Sequence, residues 1–185
     1  MSGQDIAQEA PVVDWSAVSV ESAAAILRQG ELYLDGQCRL AIAADQRAMA
    51  ASSFFSGFAA IVLAATFGHW SQVRGIDLLV TGLVTAALLL AGAVSCVRAA
   101  WPVEFAVPGN EPKKWWRVSG EPLNFLLGGQ TEHCQFFIEH NHSVLVKNSW
   151  WLKAGLVWGV SAPFVGALTW CAMQIMGLFY EFPPA

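Results

Sequence analysis

Apolar positions along this chain gather into three long uncharged runs, separated by stretches where charges, prolines and glycines return. From Ala48 to Gly68 there are 21 consecutive residues without a charge. A helix rises ~1.5 Å per residue, so this run crosses the ~30 Å hydrocarbon layer of a bilayer. A second uncharged run, Leu78 to Val97, is closed by Asp77 and Arg98, and a third, Ala154 to Tyr180, by Lys153 and Glu181. The pattern predicts an all-α membrane protein with transmembrane helices over 48–68, 78–97 and 154–180. The third run is long enough to tilt or to leave a turn at the interface.

Between the runs the pattern is amphipathic. Asp14 or Ser16 offers an N-cap for a helix that passes Arg28, Glu31, Asp35 and Arg39 and continues into the first span. The Arg28/Glu31 and Asp35/Arg39 pairs have the spacing of helix-surface neighbours. Ile26, Leu27, Leu34, Ala41 and Ile42 form a weak seven-residue stripe that calls for a partner helix, while Gly30 and Gly36 are points where the helix could break. Residues 98–153 divide into a proline-containing connector and a helix over Leu123 to Asn148, with Leu123, Leu126, Leu127, Phe137, Ile138, Val144 and Leu145 at helical spacing. Asn141 falls on the apolar side, where a buried amide sets register. The expected organisation is an N-terminal amphipathic helix over 1–47, three spans, a connector with its helix over 98–153, and a tail over 181–185.

Composition agrees: 55% of the chain is hydrophobic and 13% charged, where soluble domains carry about 25% charged residues. The first ten residues are polar and acidic, unlike a secretory signal peptide, so the first span is expected to act as its own insertion signal. Four separated cysteines without a CxxC pair argue against a disulfide framework or a zinc site. Of the ten Lys and Arg residues only Arg74 lies between spans one and two. The positive-inside rule then puts the N-terminus and the 98–153 segment in the cytoplasm and the C-terminus outside. Trp70, Trp101, Trp150, Trp151 and Tyr180 lie near the span ends, as an interfacial aromatic belt requires.

Small residues recur inside the spans. Ser52, Ser56, Ala60, Ala64 and Gly68 repeat every four residues, Ala87, Ala91 and Ser95 do so in span two, and Gly155 and Gly159 precede Pro163 in span three. Such ridges let helices approach closely in lipid, while Pro163 lacks the N–H that continues a helix. The partners are either helices of the same chain or other subunits, including a second copy. No Asp, Glu, Lys, Arg or His lies inside a span, which disfavours a proton-coupled transporter.

Candidate chemistry is sparse. Lys113-Lys114-Trp115-Trp116-Arg117 joins three cations to two indoles. It suits the anionic leaflet surface, or a nucleotide gripped by charge and base stacking. Glu132-His133-Cys134 and Glu139-His140-Asn141-His142 hold metal-ligating side chains, but the i, i+4 histidine pair of a helical zinc motif is absent. The net charge of −4 gives no reason to expect nucleic acid. With no phosphate-binding glycine loop or catalytic triad, neither an enzyme nor a cofactor is expected.

Ala44-Asp45-Gln46-Arg47-Ala48, directly before span one, resembles the Ala-Asp-x-Lys-Ala-like segment at which the transmembrane effectors of the bacterial Pycsar antiphage system enter the membrane. The likeness extends, as architecture, over residues 40–175 and more remotely to SLATT-type membrane effectors. Arg47 replaces the expected Lys, and Phe125-Leu126-Leu127-Gly128 is the nearest match to an aromatic-Phe-Gly signature. The resemblance implies a protein that responds to a cyclic nucleotide and impairs the inner membrane by oligomerising, with Asp45 and Arg47 at the hinge between sensor and span. The alternative is an accessory or structural subunit of a larger membrane complex.

Overall fold

The structure is a computed structural model that describes residues 13–73, 76–109, 113 and 120–181. Its regular secondary structure is helical, with no strand among the described residues. A short 3-10 turn, Trp15–Ala17, precedes α1 (Val20–Val73), α2 (Ile76–Ala99) and α3 (Leu123–Glu181). All three helices are long and apolar enough to cross a membrane. The chain has the build of a multi-pass membrane protein.

The helix ends follow local chemistry. Asp14 accepts from the Ser16 amide at 3.0 Å and hydroxyl at 2.6 Å, so it caps the 3-10 turn rather than α1. The α1 cap is Ser19, whose hydroxyl accepts from the Ser22 amide at 3.2 Å. The expected start at Asp14 or Ser16 is therefore displaced: the Asp14 side chain closes a separate tight turn that consumes its acceptor. At the other end of the bundle sequence, Arg98 occupies the last turn of α2, where a cation is favoured by the helix dipole. Pro102 then prevents continuation. Pro122 leads into α3, and its carbonyl accepts from Leu126 at 3.1 Å.

The chain divides into two compact units, one of Met1–Gln37 with Ala106–His140 and the other of Cys38–Phe105 with Asn141–Ala185. Within the first, Trp15 is buried, donates from Nε1 to Glu132 at 2.8 Å, and receives the Asn124 amide on its carbonyl at 2.9 Å. Its indole fills the space beside Gly128, where a Cβ would collide with the ring. Leu34 is buried in this unit, and Gln37 donates to the Ile138 carbonyl at 3.2 Å.

The second unit is built around Phe55, Ala59, Leu89, Ala93, Cys96 and Ala162. Its tightest crossing joins α2 to α3. A Cβ built on Gly92 would stand 2.9 Å from both the Gly155 carbonyl oxygen and the Gly159 nitrogen, and one on Gly159 would collide with the Phe55 ring. Only glycine lets the backbones meet so closely. Elsewhere the spans present Phe58, Ile61, Leu90, Val94, Val157 and Leu168 outward. At most 28% of a span's apolar window is buried within the chain, an exposure suited to lipid or to other membrane helices.

Both long helices bury a seam whose steps alternate between three and four residues. On α1 the buried or half-buried positions include Ala23, Leu27, Gly30, Leu34, Gln37, Ala41, Ala44 and Ala48, then Ser52, Phe55, Ala59, Val62 and Thr66. Leu27, Leu34 and Ala41 of the anticipated stripe lie on this seam, while Ile26 and Ile42 face outward. Gly30 and Gly36 do not interrupt α1, and Gly30 faces the Cys134 side chain.

Replacing Gly155 by Leu should overfill the α2–α3 crossing and cost about 1–3 kcal/mol or more. Gly57→Ala, where nothing stands within 4 Å of the added carbon, should be neutral or stabilising by up to about 1 kcal/mol. Thermal unfolding in detergent, followed by circular dichroism, checks both, and equal effects would contradict the crossing.

Candidate functional site

The most chemically equipped recess of the second unit forms where α2 ends and α3 approaches its uncharged run. It holds about 270 Å³ and is lined by Arg98, Trp101, Lys147, Asn148 and Trp151, with valines completing the wall. Arg98 and Trp101 sit three apart across the end of α2, and Lys147 and Trp151 sit four apart on α3, so each pair shares one side of its segment. The Arg98 guanidinium lies over the Trp151 ring, 5.1 Å from its centroid. Trp150 meets Trp151 edge to face at 4.8 Å. Among the described residues the lining contains two cations and no carboxylate. Such a recess attracts anions, and its indoles suit the layer where headgroups meet hydrocarbon.

A second cleft, of about 470 Å³, lies between the spans and is bordered by Thr66, Thr81, Thr85, Pro163 and Trp170. Thr85 donates to the Thr81 carbonyl at 2.8 Å, while the buried Thr81 hydroxyl has no partner among the described residues. Gln174 reaches Asp77 at 3.4 Å.

The residues singled out from sequence fall into several places. Lys113 is exposed, and Lys114, Trp115, Trp116 and Arg117 lie outside the described residues. Asp45 and Arg47 are both exposed on an uninterrupted stretch of α1. Of the four-residue ridge, Ser52 is buried, whereas Ser56, Ala60, Ala64 and Gly68 face outward. The cause is geometric: at 3.6 residues per turn, each four-residue step drifts by about 40°, so a strict four-step ridge winds off a seam that alternates three and four. The same drift turns Ala87 and Ala91 outward, while Gly82, Ala86, Leu89, Ala93 and Cys96 form the buried face of α2. Gly155 and Gly159 are buried at the crossing, and Pro163 is exposed on a helix that continues through it.

The histidine clusters do not converge. Among the described residues, no three His, Cys, Asp or Glu side chains stand close enough to hold a metal ion. His133 instead packs on Phe137, with ring centroids 4.2 Å apart. Cys134, outside the uncharged runs, is buried, and burial together with the nearby Glu31 carboxylate pushes its thiol above the ordinary range. At the N-terminus, the Ser16 hydroxyl and amide hold the Asp14 carboxyl below its usual value.

From sequence, Arg98 closes the second uncharged run, Lys147 counts among the cations that set orientation, and Trp101 and Trp151 fall in an aromatic belt. The available signal was a cation and an indole three or four residues apart at the ends of two uncharged runs. Nothing along the chain indicates that the two pairs meet.

No protein-family model, curated protein or solved structure matches this chain.

Burial and a raised pKa both withhold the Cys134 thiolate. Native protein treated with N-ethylmaleimide at about pH 8 should leave Cys134 unmodified, and unfolding should expose it; peptide mass spectrometry reads the difference. Rapid native labelling would contradict the packed first unit.

Proposed function

We propose that this chain is a non-enzymatic, multi-pass protein of a bacterial inner membrane that responds to a cyclic nucleotide and impairs the membrane by oligomerising. The observation that carries this reading is the continuity of α1 and α3. Each contributes its first part to one compact unit and its later part to the other without a break. An unbroken helix conveys a change in packing around Leu34, Gln37 or Cys134 along its length, because its hydrogen-bonded backbone resists local bending. The resemblance of Ala44–Ala48 to the membrane-entering segment of Pycsar effectors supports the same reading, with Asp45 and Arg47 at the junction. The nucleotide contacts in this proposal are Lys113, Lys114, Trp115, Trp116 and Arg117. The outward Ser56, Ala60, Ala64 and Gly68 face is the surface for self-association in lipid. The distribution of Lys and Arg supports a cytoplasmic N-terminus and 98–153 segment, with the C-terminus external.

The outward small-residue face also favours a second reading, an accessory or structural subunit whose partner helix covers that face. Purification in mild detergent separates the two: co-purifying membrane subunits support the second, and a lone or self-assembled chain rejects it.

In cells expressing the protein, a potential-sensitive dye should report depolarisation when a cyclic nucleotide is supplied. Replacing Lys113, Lys114 and Arg117 together by Gln should remove most of that response. Depolarisation that ignores the nucleotide, or none at all, would overturn the effector reading. Lysis on overexpression alone would instead indicate a holin-like pore.

A further inference from the structure

We propose that the recess between the end of α2 and the approach of α3 binds the phosphodiester of an anionic phospholipid headgroup. Its position along the helices supports this. Arg98 closes the second uncharged run, and Lys147 stands seven residues before the third, about 10 Å along a helix. A bilayer's headgroup region adds about 5–8 Å on each side of the hydrocarbon, so Arg98, Trp101 and Trp151 lie in that layer and the Lys147 backbone about 2–5 Å beyond it, from where its long side chain reaches back. The density of lipid phosphates is highest in that layer.

The side chains supply what a phosphodiester needs. Arg98 presents a planar fork that matches two phosphate oxygens, Lys147 adds a second formal charge, and the Asn148 amide carries N–H donors. The guanidinium already rests over the Trp151 ring at 5.1 Å. That stacking restrains Arg98 before any ligand arrives, so less side-chain freedom is lost on binding. Among the described residues no carboxylate lines the recess to compete with the anion. The volume of about 270 Å³ accommodates a headgroup phosphate with its flanking atoms. A zwitterionic headgroup would bring its own cation against Arg98 and Lys147, which favours an anionic lipid over phosphatidylcholine. The inference requires the membrane-spanning helices but not the nucleotide response proposed above.

A phosphodiester can also come from a soluble nucleotide, and the experiment separates the two sources. Full-length protein in mild detergent is mixed with phosphatidylglycerol or phosphatidylcholine, and bound lipid is counted by native mass spectrometry. Phosphatidylglycerol should be retained preferentially. Arg98→Gln and Lys147→Gln should each weaken that retention about fivefold, and the double variant about thirtyfold. Arg98→Lys, which keeps the charge but loses the fork and the stacking on Trp151, should retain less than the parent and more than Arg98→Gln, and Lys153→Gln, which removes a nearby cation outside the recess, should leave it unchanged. Equal retention of both lipids, or a loss in Lys153→Gln matching that in Lys147→Gln, would overturn the site. Circular dichroism and a single oligomeric species establish that each variant is folded. Millimolar cyclic UMP or inorganic phosphate should leave the lipid in place. Displacement by cyclic UMP that depends on Arg98 would overturn the lipid assignment in favour of a soluble phosphodiester.

Discussion

The contact on which the membrane portion depends is the meeting of backbones at Gly92, Gly155 and Gly159. Hydrocarbon is no worse a neighbour for leucine than another leucine is, so apolar area does not drive helices together in lipid. Close van der Waals contact does. Three glycines remove the side chains that would hold α2 and α3 apart, and the Phe55 ring of α1 enters the space beside Gly159. The surrounding positions are small or compact: Ala59, Ala93, Cys96 and Ala162. The larger apolar residues are displaced to the outside, where acyl chains solvate them. A soluble protein would reverse that arrangement.

The two long helices extend this logic by a different means. Their buried seams advance by three and four residues in alternation, the spacing that keeps one face of an α-helix turned toward a neighbour. In the first unit that seam admits polar atoms. Gln37 is buried and donates one amide hydrogen to the Ile138 carbonyl, while its Oε1 has no partner among the described residues. On the other long helix, Asn141 is fully buried at the start of the second unit. Buried amides in an apolar seam tolerate few alternative registers, because a slip leaves their donors and acceptors without partners. Trp15 serves the same end at the N-terminus, where its N–H, its carbonyl and its ring are each matched to one feature of α3.

The distribution of charge separates structural from chemical roles. Inside the spans the polar side chains are chiefly hydroxyls, with the Gln174 amide beside them, and several hydroxyls bond back to their own helix, as Thr85 does to Thr81 and Thr169 to Val165. Formal charge is confined to the span boundaries and to the rest of the chain. At one boundary Arg98 and Lys147 line a common recess with two indoles. That concentration of cations and aromatic rings is the feature on which the proposed lipid site rests.

Sequence alone determined that the chain is all-α, with three helices long and apolar enough to cross a membrane. Charge-free length and backbone hydrogen bonding permit nothing else in a bilayer. It also marked Asn141 as facing inward and Gly155 and Gly159 as packing positions. It did not determine which ridge of each helix is buried. A four-residue repeat of small side chains is easy to see along the chain, yet it winds around the cylinder, so Ser56, Ala60, Ala64 and Gly68 face outward while Phe55 and Ala59 pack inside. Nor could the chain order show that Arg98 and Lys147 line one recess, or that Trp15 belongs beside Glu132. Those pairings join residues far apart in sequence, and only the packing of whole helices, set by where glycine lets backbones touch, brings them together.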